Sequence, residues 1–197
     1  MNTPNKLTIF RILLIPLIVL IEIFPYAQFQ INMPTYLFNG VFLSLKNIIV
    51  LVIFIIASFT DFLDGYLARK NQQITTFGKF LDPIADKLLV NSLLIILAYQ
   101  GAVPLVAVLL MIWRDTVVDG IRMMSSSKGV VVSAGILGKI KTVSQMVTIV
   151  LVLLNNMPFA FIGLPVTDFL IWFSTLVSLV SGYSYFQSAK EIILETM

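Results

Sequence analysis

The chain has 197 residues, of which 58% are hydrophobic and only 12% are charged, whereas an average soluble domain carries about 25% charged residues. This composition excludes a conventional soluble enzyme and a disordered chain, and the modest net charge of +3 does not suggest a nucleic-acid partner. With no cysteine or histidine, the chain cannot form disulfides or thiolate and imidazole metal sites, so a metal would need oxygen ligands.

Apolar segments follow one another along the chain, at 7–24, 47–67, 81–99, 104–124, 140–155 and 164–186. Most approach the roughly 20 residues that a helix needs to cross a bilayer. We expect the semi-polar residues 25–44 to form a long loop. No repeat or linker divides the chain, so we predict an all-α integral membrane protein with six transmembrane helices and a single domain, 1–197.

The distribution of lysine and arginine predicts the orientation. If the N-terminus is cytoplasmic, the outer loops hold only Lys46. The cytoplasmic tails and loops then hold nine basic residues: Lys6, Arg69, Lys70, Lys79, Arg122, Lys128, Lys139, Lys141 and Lys190. Because basic residues concentrate on the cytoplasmic side, both termini are predicted to face the cytoplasm, with the chain in the cell membrane.

Many of the charged residues lie at or beside the segment ends that this topology places on the cytoplasmic side. They are Arg11, Asp61, Asp64, Asp82, Asp86, Lys87, Arg114, Asp115, Asp119, Arg122, Lys139 and Lys141. Charges within a membrane are costly and usually face the bundle interior or a wet cavity. The sequence therefore predicts one polar cavity that opens to the cytoplasm.

Four aspartates form the central pattern. Asp61 and Asp64 are three residues apart and share a helix face, and Asp82 and Asp86, four apart, do the same. Residues 70–80 can form a tight helical hairpin that brings the two faces together. Converging carboxylates repel unless cations neutralise them, and oxygen ligands suit magnesium, manganese or calcium. Pairs of such ions recur in phosphoryl transfer.

Small residues accompany the aspartates. Gly65, Ala68 and Gly78 leave room for a ligand to approach the backbone, although the glycines could instead serve helix packing. Any single aspartate could also be the structural partner of a nearby cation, as Asp86 could be for Lys87.

This pattern resembles the signature of the CDP-alcohol phosphotransferases, which are six-helix membrane enzymes of about this length. Eight positions match at the expected spacing: Asp61-x2-Asp64-Gly65-x2-Ala68-Arg69-x8-Gly78-x3-Asp82-x3-Asp86. The resemblance implies that the four aspartates bind two divalent ions, Mg²⁺ or Mn²⁺, and that Asp86 removes the proton of an acceptor alcohol. The alkoxide then attacks the phosphorus distal to cytidine, and CMP leaves.

The resemblance also implies a binding site for the CDP-linked donor. Its residues would be Gly65, Ala68, Arg69 and Gly78. Asn5 and Thr8 in the first segment could add contacts to the donor, or could simply cap the helix. Members of the family are commonly homodimers, so we expect a homodimer.

A cationic cluster on the fourth and fifth segments predicts how the acceptor is bound. It consists of Arg114, Arg122, Lys139 and Lys141. Arginine and lysine are suited to phosphate, so the acceptor is expected to carry one. The alternatives are that the two lysines only set the topology, and that Arg114 is a structural partner of Asp115 or Asp119.

Residues 1–11, 114–122 and 137–142 are similar to bacterial members that transfer a phosphatidyl group from CDP-diacylglycerol to sn-glycerol 3-phosphate, although many of these carry Glu where this chain has Asp115. Phosphatidylglycerol or inositol phosphate are alternative acceptors. An ion- or proton-coupled transporter is an alternative of another class. It is disfavoured because the charges lie near one membrane face and no repeat is visible.

Overall fold

The computed structural model describes residues 2–70, 75–128 and 135–194. Within them lie six α-helices: α1 (Thr3–Ile23), α2 (Leu45–Lys70), α3 (Thr76–Tyr99), α4 (Leu105–Ser127), α5 (Ile136–Leu153) and α6 (Val166–Leu194). Every predicted apolar segment therefore contains a helix. Several helices are longer than predicted, because residues that flank the apolar stretch, many of them charged, are also helical. For example, α2 ends at Lys70 and α3 begins at Thr76.

The surface of the helices is strongly apolar. Large side chains such as Leu13, Trp113 and Phe169 are more than half exposed. In the described ranges, three stretches are long and apolar enough to cross a membrane: Leu45–Leu67, Ile136–Leu153 and Val166–Lys190. An apolar exterior of this extent is typical of a membrane protein. Six spans and a cytoplasmic location of both termini stay predictions.

A β-hairpin occupies part of the segment that we expected to be a loop. Strands β1 (Thr35–Phe38) and β2 (Val41–Ser44) pair antiparallel. Between them Asn39 and Gly40 both have positive φ, 45° and 87°, as the favoured two-residue hairpin turns require. The loop prediction is therefore wrong for 35–44, and the all-α prediction holds except for this hairpin.

The helices pack in two groups of three. In the N-terminal group, α1 packs against α2 and α3, and in the C-terminal group, α6 packs against α4 and α5. Smaller contacts of α3 with α4 and of α5 with α2 and α3 join the groups. The core between them is apolar and includes Ile18, Phe54, Leu93, Met111, Ile149, Leu153 and Ile171.

A buried acid ties the N-terminal group together at the end where α1 finishes. The Glu22 carboxylate accepts hydrogen bonds from Lys46 Nζ at 2.7 Å and from Gln100 Nε2 at 2.8 Å. Because these residues lie on or beside the ends of α1, α2 and α3, the cluster fixes the three helices relative to one another.

Replacing Glu22 with glutamine should lower the free energy of unfolding by about 1–3 kcal/mol, because Lys46 loses its carboxylate partner. The thermal unfolding midpoint in detergent measures this. Asp168→Asn is the matched control, since Asp168 is an exposed acid near the same end of the bundle. Equal midpoints for the two variants would contradict a stabilising role for the cluster.

Candidate active site

The motif aspartates are connected through the first helix. The Arg11 guanidinium is fully buried and donates to the carboxylates of Asp61 and Asp64. The Thr8 hydroxyl lies 2.9 Å from Asp82 Oδ1 and 3.4 Å from Asp64 Oδ2. Side chains of α1 therefore bridge the aspartates of α2 and α3.

The aspartate faces of α2 and α3 come together as predicted, but the contact between them runs through α1. Helices α2 and α3 make only slight direct contact, and α1 packs against both, so the two aspartate faces meet across α1. The central part of the predicted hairpin, 71–74, lies outside the described residues. Among the residues that the structure describes, no three acidic side chains lie close enough together to form a metal-binding group.

The start of α3 makes a close approach to α1. Thr75 caps α3, its hydroxyl accepting from Gly78 N at 3.0 Å and donating to Asn5 Oδ1 at 2.8 Å. A Cβ atom at Gly78 would lie 3.3 Å from Thr75 Oγ1 and 3.4 Å from Asn5 Oδ1. A side chain at position 78 would therefore push Thr75 and Asn5 back by a few tenths of an ångström. The cap of α1 is Asn2, so Asn5 and Thr8 are not helix caps.

Of the other residues expected around the donor, Gly65 follows Asp64 on α2. The side chains of Ala68 and Arg69 lie outside the described part of the chain.

A cavity of about 790 Å³ lies between the two helix groups, at the end of the bundle where α1 begins. Asp61 and Asp86 line it from the N-terminal group. From the C-terminal group it is lined by the predicted cations: Arg114, Arg122, Lys139 and Lys141. The predicted base and the predicted acceptor-binding residues thus share one polar cavity. We call the side with Asp61 and Asp86 the acidic wall, although Lys87 also lies on it, and the side with the four cations the basic wall, although it also holds Asp115 and Asp119.

Two of these cations have a carboxylate partner within the cavity wall. Asp115 is buried and accepts hydrogen bonds from Arg114 Nη1 at 3.0 Å and from Lys141 Nζ. Arg114 also donates from Nε to the carbonyl oxygen of Ser178 at 3.0 Å and from Nη2 to Ser181 Oγ at 2.7 Å. The structural alternative for Arg114, a pair with Asp115, is therefore present.

Of the remaining cations of the cavity, Lys87 has a carboxylate partner in the described ranges, whereas Lys139 and Arg122 have none there. Lys87 pairs with Asp119 across α3 and α4, and not with Asp86. Lys139 is exposed, and within the described ranges its ammonium makes no salt bridge. Arg122 donates from Nη2 to the Tyr185 hydroxyl at 2.5 Å. Lys139 and Arg122 therefore carry positive charge that no protein carboxylate in these ranges neutralises.

Comparison with known proteins decides the family. A family model described as CDP-alcohol phosphatidyltransferase matches residues 1–180. The chain belongs to the CDP-alcohol phosphatidyltransferase family. The resemblance carried by the aspartate motif is thereby confirmed.

Relatives from several bacteria match this family member over nearly its whole length, and all three described here are named CDP-diacylglycerol–glycerol-3-phosphate 3-phosphatidyltransferase. The Bacillus subtilis relative is 39% identical over 192 residues, covering 98% of this chain and 97% of the relative. The Rickettsia bellii relative is 37% identical, covering 96% of both chains. The relative from Wigglesworthia glossinidia brevipalpis is 31% identical, covering 96% of this chain and 95% of its own.

The structure also places residues in the cavity that the sequence analysis missed. They are Asn91, Gln145 and Tyr185. Lys87 and Asp119 were expected in the cavity, but their pairing with each other was not predicted. Tyr185 follows Ser178 and Ser181 at helical spacing, on the face of α6 that contacts Arg114 and Arg122. This run of small residues ending in tyrosine was the available signal, but it equally describes ordinary helix packing.

Proposed function

We propose that the chain transfers the phosphatidyl group from CDP-diacylglycerol to sn-glycerol 3-phosphate, giving phosphatidylglycerol phosphate and CMP. The observation that carries this proposal is one cavity that is lined by Asp61 and Asp86 and also by Arg122 and Lys139, two cations that no carboxylate in the described ranges neutralises. Full-length relatives bear the name of this activity. A donor diphosphate suits the acidic wall once metal ions are bound, and a phosphorylated acceptor suits the basic wall.

We propose two divalent ions, Mg²⁺ or Mn²⁺, held by Asp61, Asp64, Asp82 and Asp86. The donor set fits such ions, because all four side chains offer carboxylate oxygens. In the structure Asp61 and Asp64 bind the Arg11 guanidinium, whose positive charge the metal ions would have to displace from these carboxylates. When bound, the ions would supply the positive charge that neutralises the diphosphate and stabilises the leaving CMP.

On the acceptor side, Asp86 is the proposed base, accepting the hydroxyl proton of glycerol 3-phosphate at a carboxylate oxygen. Arg122 and Lys139 bind the acceptor phosphate, since their charge is unneutralised in the described ranges. Arg114 and Lys141 share the single charge of Asp115, so they contribute less net attraction and mainly shape the pocket.

The donor is proposed to lie along the N-terminal group. Its diphosphate lies near Asn5 and Thr8, and its cytidine near Gly65, Ala68, Arg69 and Gly78. Phe62 lines the cavity and is 66% exposed, so the cavity is continuous with the apolar surface of α2. The acyl chains of the donor can therefore stay in the bilayer while its head group enters the cavity. We propose that the cavity faces the cytoplasm and that the protein is a homodimer in the cell membrane.

The decisive experiment supplies purified protein in detergent with CDP-diacylglycerol, magnesium and one acceptor at a time. We expect CMP release with glycerol 3-phosphate and none after chelation of the metal. Release only with phosphatidylglycerol or inositol phosphate would reassign the acceptor. No release with any alcohol, together with ion flux in proteoliposomes, would favour the transporter.

Gly78→Ala should raise the KM for CDP-diacylglycerol by about tenfold, because the new methyl group crowds Thr75 Oγ1 and Asn5 Oδ1. Its unfolding midpoint should not fall, since alanine is the better helix former. Gly120→Ala is the matched control, because a Cβ atom there meets nothing within 4 Å. A donor KM that is unchanged in Gly78→Ala would remove this contact from the donor site.

A further inference from the structure

One aromatic ring contacts two of the cavity arginines. The guanidinium carbon of Arg122 lies 4.9 Å from the ring centroid of Tyr185, and that of Arg114 lies 5.5 Å from it. The Tyr185 hydroxyl also accepts the hydrogen bond from Arg122 Nη2 at 2.5 Å. Tyr185 itself is 5% exposed and lines the cavity, so its ring position is fixed by packing.

The two arginines depend on this ring to different degrees. Arg114 has three further partners, namely Asp115, Ser178 and Ser181. For Arg122, by contrast, Tyr185 is the only hydrogen-bond or ring partner in the described ranges, and its Nε is buried without a hydrogen-bond partner there. The orientation of the Arg122 guanidinium is therefore set mainly by Tyr185.

We propose that Tyr185 is a positioning residue for the acceptor, a small alcohol that carries a phosphate monoester. Its hydroxyl and ring hold the Arg122 guanidinium in place, so that the remaining N–H groups of Arg122 can bind the phosphate. The π electrons of the ring also attract both guanidinium groups, which partly offsets the repulsion between their charges. This inference rests on the proposed function, because it assigns Arg122 to the acceptor phosphate.

The test compares Tyr185→Phe with Tyr183→Phe. The first variant keeps the ring but removes the hydroxyl that accepts from Arg122, whereas Tyr183 is an exposed tyrosine on the same helix whose hydroxyl accepts from Gln187. In the CMP-release assay, Tyr185→Phe should raise the KM for glycerol 3-phosphate by about tenfold. Its kcat and its KM for CDP-diacylglycerol should stay within about twofold of the wild-type values.

If Tyr185 only stabilised the fold, its substitution would affect the acceptor KM, the donor KM and kcat together. Tyr185→Leu, which removes the ring as well, should raise the acceptor KM further if it folds. An acceptor KM unchanged in Tyr185→Phe, or raised equally in Tyr183→Phe, would overturn the proposal.

The upward shift of the unfolding midpoint on adding glycerol 3-phosphate is measured on the same proteins. If the wild-type protein releases no CMP, the proposed function fails. The midpoint shift still tests whether Tyr185 contributes to binding of glycerol 3-phosphate. A smaller shift in Tyr185→Phe than in wild type supports its role, and an equal shift overturns it.

Discussion

Asp86→Asn should lower the rate of CMP release by about 10²–10⁴-fold, the usual contribution of a general base. An amide oxygen has the size of a carboxylate oxygen, but it cannot take up the hydroxyl proton of the acceptor at neutral pH. Asp86 lines the cavity that also holds the basic wall, which places it where an acceptor hydroxyl would enter. The measurement is the initial rate of CMP release at saturating concentrations of both substrates.

Two further measurements distinguish loss of the base from loss of donor binding and from a general effect of removing an acid from the cavity. Binding of CDP-diacylglycerol, followed by the shift of the unfolding midpoint, should survive in Asp86→Asn. Asp119→Asn is the matched control, because Asp119 lines the same cavity but is already paired with Lys87. Asp119→Asn should keep its rate within about threefold of wild type. A rate for Asp86→Asn within that same range would refute the assignment of Asp86 as the base.

Asp115→Asn should be the most destabilising of these substitutions, lowering the free energy of unfolding by about 3–5 kcal/mol. The side chains of Arg114 and Lys141 are only 9% and 8% exposed, and both pair with Asp115. Removing that carboxylate leaves two neighbouring buried cations without an anion. The thermal unfolding midpoint and the yield of monodisperse protein in detergent measure the loss.

Asp119→Asn again provides the comparison, since it removes an acid from the same helix. The Asp119 side chain is 41% exposed, so water can solvate its partner Lys87 when the pair is lost. We therefore expect a loss of less than about 1 kcal/mol for Asp119→Asn. Similar midpoints for the two variants would show that Asp115 does not stabilise the buried cations.

The helices could be predicted from sequence because lipid exposure selects long apolar runs, and charges at their ends stand out against that background. The motif from Asp61 to Asp86 could be recognised because metal and phosphate chemistry restricts residue type and spacing. The Asn39–Gly40 hairpin was predictable in principle, since this dipeptide favours the required turn. It was missed because the flanking strands are only four residues long.

The pairing of charges could not be read from the sequence. Arg11 lies 50 residues from Asp61, and Arg122 lies 63 residues from Tyr185, so both contacts depend on how the helices pack. The sequence contains several acids within reach of each cation and does not rank them. Only the packing of α1 between α2 and α3, and of α6 against α4, selects the partners.

The division of the bundle into two groups of three helices has a consequence for how such enzymes diversify. The proposed donor and metal residues all precede the α3–α4 connection, and the proposed acceptor cations all follow it. Substitutions after residue 104 can therefore change which alcohol is used without disturbing the phosphatidyl donor. A chimera that joins α1–α3 of this chain to α4–α6 of a family member with another acceptor should inherit its acceptor preference from the second half.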